Sequence, residues 1–107
     1  METILYEVNN NVAKVIFNRP NALNALNNVM LQELNELLDK IENDSSIKYI
    51  VFTGMGKAFI AGADISEMSD MDNDEALEYG QLGSQIFRKI EISEKITIAL
   101  VNGYCLG

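Results

Sequence analysis

Residues 54–68, GMGKAFIAGADISEM, form the stretch of this chain whose residue types and spacing are best suited to chemistry. Glycines and alanines crowd it and leave backbone N–H and C=O groups uncovered by side chains; they are Gly54, Gly56, Ala58, Ala61, Gly62 and Ala63. An uncovered N–H that points at a developing negative charge stabilises that charge without any special side chain. The stretch therefore predicts a binding or catalytic site made mainly of backbone.

Two carboxylates in the same stretch, Asp64 and Glu67, are three residues apart. On a helical turn they would share one face, where a carboxylate pair can do acid/base work or hold a cation. Alternatively, Asp64 caps the turn and Glu67 is solvated. The interpretation that we favour uses the backbone: Gly62 and Ala63 open the turn, and their unpaired N–H groups form an anion or oxyanion site.

Two nucleotide-binding motifs are suggested here and neither is complete. Gly54 and Gly56 follow a strand-like run, as in dinucleotide sites, but Phe59 occupies the place of the third glycine. Gly56-Lys57 resembles the end of a phosphate-binding loop, but Ala58 replaces the required Ser or Thr. We therefore expect neither a dinucleotide nor a nucleoside triphosphate at this stretch.

The composition excludes several classes of function. Among 107 residues there are 16 acidic and 8 basic residues, which give a formal net charge of -8 and disfavour nucleic acid and anionic membrane surfaces as partners. The absence of histidine excludes Ser/His/Asp triads, Cys/His dyads and most zinc sites. We expect no metal, and we expect the single Cys105 to be a small buried residue in a reducing compartment.

The termini and apolar runs bear on location. The N-terminal METILYEVNN lacks the basic and then apolar character of a signal peptide, and no apolar run approaches the ~20 residues that span a membrane. These features predict a soluble, cytoplasmic protein.

The first half of the chain predicts a ββαβ unit. Residues 4–8 and 12–17 favour a hairpin around residues 9–11, where asparagine tolerates positive φ. Residues 18–27 favour a loop with a helix N-cap, and residues 28–43 a helix, in which Glu33, Glu36 and Lys40 face away from the apolar stripe. That stripe comprises Met30, Leu34, Leu37, Leu38 and Ile41. Residues 49–52 favour a strand that is buried on both faces.

The second half predicts a loop, a helix and a strand. Residues 69–74 favour a loop that ends in a helix cap, and residues 74–91 favour a helix with Tyr79, Gly83, Ile86, Phe87 and Ile90 on its apolar stripe. Gly80 and Gly83 cost helix stability, so we expect close packing against another backbone to compensate. Residues 96–101 favour a last buried strand. The chain then stops at Gly107, in what looks like the turn out of a strand, and we interpret this stop as a truncation.

Three segments resemble successive signatures of one family. They are NRPNALNAL at 18–26, KAFIAGADISEM at 57–68 and IALVNGYCLG at 98–107. In sequence, order and spacing they are similar to the enoyl-CoA hydratase/isomerase (crotonase) superfamily, especially to bacterial short-chain enoyl-CoA hydratases and 3-hydroxybutyryl-CoA dehydratases. The resemblance covers the whole chain.

The resemblance implies a fold and an activity. The implied fold is an α/β, crotonase-like (ClpP/crotonase) spiral of ββα turns, of which residues 1–107 are the N-terminal portion of a single domain. The implied enzyme is a lyase of fatty acid metabolism that hydrates a short-chain 2-enoyl-CoA to the 3-hydroxyacyl-CoA. It works as a trimer or dimer of trimers and uses no cofactor, because coenzyme A belongs to the substrate.

The resemblance also implies roles for particular residues. The N–H of Ala63 is the first of two oxyanion donors. Ala61, Gly62, Asp64, Ile65 and Ser66 border the CoA nucleotide and the acyl thioester, and Ala22 and Leu23 lie near the pantetheine arm. The second oxyanion glycine and both catalytic glutamates lie beyond Gly107, so residues 1–107 alone are expected to be inactive.

Two departures and several alternatives remain. Ser66 stands where many members of the family have a lysine near the CoA phosphate, and Ile96 stands where a proline is usual. An enoyl-CoA isomerase or a thioester hydrolase would share this half of the family pattern. A non-catalytic acyl-CoA binder or an oligomeric interaction module is the alternative from outside enzymes.

Overall fold

Short strands alternate with two long helices along this chain, which a computed structural model describes from residue 2 to residue 105. The helices are α1 (Asn28–Glu42), α2 (Ile65–Ser69) and α3 (Asn73–Ile92), with one 3-10 turn at Pro20–Ala22. The strands are β1 (Ile4–Asn9), β2 (Val12–Phe17), β3 (Tyr49–Gly54), β4 (Ala58–Ile60), β5 (Ile96–Ala99) and β6 (Tyr104–Cys105). None of the helices in residues 2–105 has both the length and the hydrophobicity to cross a membrane.

Four strands form one sheet in the order β1-β2-β3-β5. β1 and β2 are an antiparallel hairpin, and Asn10 in its turn has φ 56°, a left-handed conformation that asparagine tolerates. β3 runs parallel to β2 on one side and to β5 on the other. The two intervening segments each contain a long helix, as parallel neighbours require. The predicted hairpin and ββαβ order are confirmed.

The small parallel sheet of β4 and β6 was not predicted. Its strands have three and two residues, which is too short to show the alternation of apolar and polar residues that indicates a strand. It places the residues after β3 beside the end of the described chain.

α1 follows its sequence pattern closely. The Asn27 side chain caps it by accepting from the N–H of Met30 at 2.9 Å, and all five predicted stripe residues are buried, together with Leu31. The stripe packs on the inward residues of β2 and β3, such as Val15, Ile50 and Phe52, to form the core. The predicted N-cap and helix are therefore confirmed.

Glu33 departs from the prediction that it faces away. Its carboxylate accepts from the N–H groups of Glu2 and Thr3 at 2.8 Å and from the Thr3 hydroxyl at 2.7 Å. Partial burial acts to raise the pKa of Glu33, but these hydrogen bonds outweigh it and hold the pKa below its ordinary value. The side chain ties α1 to the start of β1.

The predicted burial of α3 and β5 is wrong in part. In α3, Ile86 is fully buried but Phe87 is 52% exposed. An added Cβ at Gly80 or Gly83 would meet nothing within 4 Å, so within residues 2–105 no close backbone packing accounts for either glycine. Every residue of β5 is exposed, since within residues 2–105 this strand pairs with β3 alone.

β3 is covered on one face only. Ile50 and Phe52 are buried against α1, whereas Tyr49 and Val51 on the opposite face are half-buried. The continuous apolar run correctly predicted a strand. The prediction that both of its faces are buried is wrong, because the face that carries Tyr49 and Val51 is only half-buried within residues 2–105.

Candidate functional site

The site is organised by a short ladder that joins the loop before α1 to the loop before α2. The N–H of Ala61 donates to the carbonyl of Leu23 at 3.1 Å. Leu26 makes the next two hydrogen bonds. Its N–H donates to the Gly62 carbonyl at 2.8 Å, and its carbonyl accepts from the Asp64 N–H at 3.1 Å. Two segments that are distant in sequence are thereby held side by side in parallel.

Ala63 lies opposite Leu26 in this ladder. The bonds to Leu26 are made by the two neighbours of Ala63, Gly62 and Asp64. Ala63 therefore directs its own N–H and C=O to the other side of the strand, as parallel pairing requires. Within residues 2–105 the Ala63 N–H has no acceptor. Gly62 before it has φ 97°, which a residue with a side chain rarely adopts, so the turn that presents Ala63 depends on glycine.

A cleft of about 450 Å³ begins at Gly62 and Ala63 and extends beneath α3. Its walls are mainly apolar, with Leu26, Phe59, Ile60 and Phe87 among them, and its polar side chains are Tyr79, Ser84 and Cys105. No carboxylate of residues 2–105 lines it. The cleft thus combines an apolar interior with an unpaired N–H at its edge, an arrangement that suits an apolar ligand with one acceptor oxygen.

Cys105 is exposed in this cleft, so the prediction that it is buried is wrong. It lies in the two-residue strand β6, which pairs only with β4 within residues 2–105. A small apolar side chain such as that of cysteine is buried only where other residues cover its strand, and both residues of β6 are exposed.

α2 begins at Ile65, three residues after Gly62, where we expected the turn to open, and Asp64 is its N-cap. The Asp64 carboxylate accepts from the Glu67 N–H at 3.1 Å and pairs with the Arg19 guanidinium at 3.0 Å. The hydrogen bond from Glu67 is the largest cause of a lowered pKa at Asp64, and Arg19 adds to it. The premise that Gly62 and Ala63 open the helix is therefore wrong. Ala63 owes its unpaired N–H to the ladder instead.

Glu67 is half-buried and not solvated as the capping alternative supposed. It accepts from the N–H of Asn28, the first residue of α1, at 2.9 Å. Because both carboxylates bond to helix-start N–H groups, the structure favours capping over a carboxylate pair for acid/base work. No cluster of potential metal ligands occurs in the part of the chain that is described.

Asn24 is the functional support that sequence reasoning missed. It is fully buried, has φ 57°, and accepts from the Arg19 N–H at 2.7 Å. Its amide group donates to the carbonyls of Met55 and Ala58 at 3.1 and 2.9 Å. It thereby fixes the loop that carries Leu23 and Leu26 to the residues on either side of the turn before β4.

Tyr79 reaches the same ladder from α3. Its hydroxyl donates to the carbonyl of Leu26. Burial is the main cause that raises the pKa of the Tyr79 phenol. The Asp64 N–H is the next largest cause and lowers it, the charges of Glu67 and Asp64 raise it, Arg19 lowers it least, and the net pKa is above its ordinary value. The sequence placed Tyr79 on an apolar stripe, and its spacing gave no sign of a hydroxyl partner.

Residues 7–107 match the sequence model of the enoyl-CoA hydratase/isomerase family. The chain belongs to this family. It is 46% identical over 108 residues to a short-chain-enoyl-CoA hydratase of Clostridium acetobutylicum and 42% identical over 107 residues to a crotonyl-CoA hydratase of Syntrophomonas wolfei. These alignments cover 100% and 99% of this chain and 41% of each relative, so the chain spans about two fifths of their length.

Solved structures show the same relationship in the fold. The crystal structure of an enoyl-CoA hydratase from Bacillus anthracis superposes with a TM-score of 0.91 at 28% identity, over 95% of this chain and 40% of that one. The predicted crotonase-like α/β fold, as its N-terminal portion, is confirmed.

The structure brings most of the predicted site residues together. Leu23 bonds to Ala61, and the ladder continues through Gly62 and Ala63 to Asp64. Ala22 lies in the adjoining 3-10 turn, where its backbone bonds to Arg19 and Ala25 and to none of these residues. Beyond the ladder, Ile65 and Ser66 form the exposed first turn of α2, with Ile65 79% exposed. Their roles toward a ligand stay predictions. Gly107, where the second oxyanion element was expected to begin, lies outside the described residues.

Proposed function

We propose that this chain forms the N-terminal part of an enoyl-CoA hydratase, which reversibly adds water to a short-chain 2-enoyl-CoA. Its contribution is one oxyanion donor, the Ala63 N–H, and one side of the CoA cleft. The observation that carries the proposal is the unpaired Ala63 N–H at the edge of an apolar cleft, in a chain of the enoyl-CoA hydratase/isomerase family.

Hydration of an enoyl thioester requires a hydrogen-bond donor of this kind. Addition of water to an enoyl thioester passes through a state in which the thioester oxygen gains enolate character. A fixed N–H 2.7–3.1 Å from that oxygen stabilises the charge, and removal of one such donor typically slows a reaction by ~10²–10³-fold. The Ala63 N–H, which bonds to no acceptor among the described residues, is proposed for this role.

The coenzyme A part of the substrate is assigned to the adjoining surface. Ala22 and Leu23 border the pantetheine arm, while Ala61, Asp64, Ile65 and Ser66 border the nucleotide and the thioester. The 79% exposure of Ile65 and the position of Leu23 beside Ala61 support a ligand that lies along both segments. No other cofactor is proposed.

Acid/base groups are proposed to come from outside residues 1–107. Two glutamates supply them in the complete enzyme, which we propose is a cytoplasmic homotrimer or dimer of trimers. Residues 1–107 alone are then inactive, and the lack of a carboxylate in the cleft within residues 2–105 supports this. The same observation favours a second candidate, a chain that binds acyl-CoA without turnover. An isomerase or thioester hydrolase of the family would share this half of the site.

The test replaces the Ala63 N–H and keeps its surroundings. Ala63→Pro removes the N–H, which bonds to no described residue, whereas the matched control Ala63→Gly retains it. Calorimetric titration with crotonyl-CoA should show roughly fivefold weaker binding for Ala63→Pro, the equivalent of one hydrogen bond of ~1 kcal/mol. Ala63→Gly should bind like the parent chain, and circular dichroism checks that both variants fold.

Two results would count against the proposal. Equal affinities for the folded Ala63→Pro and Ala63→Gly variants would remove Ala63 from the site. Hydration of crotonyl-CoA by the 107-residue chain above the uncatalysed rate would contradict the assignment of the acid/base groups to residues outside it.

A further inference from the structure

The Leu26 carbonyl accepts two hydrogen bonds from different parts of the chain. One comes from the Asp64 N–H at 3.1 Å and the other from the hydroxyl of Tyr79, which lies 53 residues away on α3. Within residues 2–105, Tyr79 is the one side chain that bonds to Leu26. The hydroxyl therefore connects α3 directly to the ladder in which Ala63 lies.

The direction of the Ala63 N–H depends on that ladder. Because this N–H has no acceptor within residues 2–105, its direction is set by the bonds on either side of it, from Leu26 to the Gly62 carbonyl and from Asp64 to Leu26. Gly62 adds little stiffness, since glycine has the widest conformational freedom. α2 has only five residues, and so short a helix is marginal by itself. The segment needs an anchor from outside.

Arg19 supplies only part of that anchor. Its guanidinium pairs with the Asp64 carboxylate at 3.0 Å and donates to the Ala25 carbonyl at 2.5 Å. Both contacts hold groups next to the ladder, and neither involves the Leu26 carbonyl itself. Tyr79 acts on the atom that the Asp64 N–H also contacts, so it restrains the ladder at its centre.

We propose that Tyr79 is a positioning residue, whose hydroxyl holds the Leu26 carbonyl and thereby aims the Ala63 N–H at the cleft. The functional meaning of this role rests on the proposed function of Ala63 as an oxyanion donor. The mechanical effect of Tyr79 on the ladder can be measured without any ligand.

The protonation state of Tyr79 suits the role. Burial and the charges of Glu67 and Asp64 raise the pKa of the phenol above its ordinary value. The hydroxyl consequently remains a donor throughout the neutral pH range, where an ordinary tyrosine is also protonated.

Tyr79→Phe tests the mechanical part, because it removes the hydroxyl and keeps the ring. Tyr49→Phe is the matched control: Tyr49 is half-buried at the far end of β3, and its hydroxyl bonds to no residue within 2–105. In Tyr79→Phe, amide hydrogen exchange at Leu26 and Asp64 should be roughly fivefold faster, as loss of one hydrogen bond predicts. Exchange at Ile50 in the core should change no more than in Tyr49→Phe. A merely structural role would accelerate all three amides alike.

Exchange rates at Leu26 and Asp64 that equal those of the parent chain, or a uniform acceleration that includes Ile50, would overturn the proposal. A second experiment tests the effect on ligand binding. It follows the NMR resonance of the Ala63 amide during titration with crotonyl-CoA. The shift should be smaller in Tyr79→Phe than in Tyr49→Phe. If the Ala63 resonance of the parent chain does not respond at all, the proposed function fails, and the exchange rates still decide whether Tyr79 positions the ladder.

Discussion

Replacement of Asn24 by alanine should destabilise the chain far more than an ordinary loop substitution. The change removes the acceptor of the Arg19 N–H and the amide donor to the Met55 and Ala58 carbonyls. The Ala58 carbonyl keeps a second donor, the Asn102 amide at 3.1 Å, so two backbone groups lose their partner. Two unsatisfied groups at ~1 kcal/mol each cost about 2 kcal/mol of unfolding free energy.

The backbone of Asn24 adds a second contribution. Its φ of 57° is left-handed, which asparagine tolerates better than alanine by about 1 kcal/mol. The expected total for Asn24→Ala is then about 3 kcal/mol. Asn24→Gly loses the same hydrogen bonds but accepts this φ, so it should cost about 1 kcal/mol less, minus the small entropic cost of glycine.

Urea denaturation with linear extrapolation measures both values, provided that the m-value stays constant. Asn21→Ala is the matched control, because Asn21 is exposed in the neighbouring 3-10 turn and its side chain bonds to no residue within 2–105. A cost for Asn24→Ala below about 0.5 kcal/mol, similar to that of a surface substitution, would refute the argument. Equal costs for the alanine and glycine variants would refute the contribution of φ.

Asp64, two glycines and the exposed strand β5 each allow a further test. Because the pKa of Asp64 is lowered in the folded chain, its ionised carboxylate stabilises the fold fully above the unfolded pKa of ~3.9. This stabilisation is lost as the pH falls through the lower folded pKa. Asp64→Asn should therefore flatten the stability–pH profile below a pH of ~3.9. Gly54→Ala should destabilise strongly in thermal unfolding, since its Cβ would lie 2.2 Å from the Ala58 carbonyl oxygen, whereas Gly80→Ala, with nothing within 4 Å, should stabilise α3 by up to about 1 kcal/mol. Ile98→Lys on the exposed strand β5 should reduce salt-promoted self-association in light scattering, because it places a charge on an apolar sheet edge; an unchanged association would exclude that edge.

The sequence predicted those elements whose signals are local. The asparagine turn at Asn10, the cap at Asn27 and the stripe of α1 each depend on residues within one turn or one helix, and the structure has all of them. The prediction that Glu33 faces away from the protein was wrong because its partner, Thr3, is 30 residues away and no sequence period indicates this contact.

Burial was predictable only where the covering layer belongs to the same pattern. The α1 stripe and the inward face of β3 cover one another, so both were predicted correctly. β5 has an equally apolar sequence, but whether a β-rich run is buried depends on what lies on its faces and beyond its edge. Within residues 2–105 β5 pairs with β3 alone, and Ile96 and Ile98 are 56% and 40% exposed.

The candidate site depends both on local sequence signals and on contacts between distant residues. Small residues at Gly62 and Ala63 showed that a backbone group could be approached there, since small side chains leave N–H groups uncovered. They did not show which N–H would remain unpaired, because Asp64, and not Ala63, proved to bond with Leu26. That choice is made by the register of the ladder, in which a shift of one residue would exchange the two amides. Asn24 and Tyr79 hold the register through bonds to Ala58 and Leu26, over 34 and 53 residues of chain. We therefore expect substitutions at Asn24 and Tyr79 to change the proposed backbone site while the stretch around Ala63 stays the same.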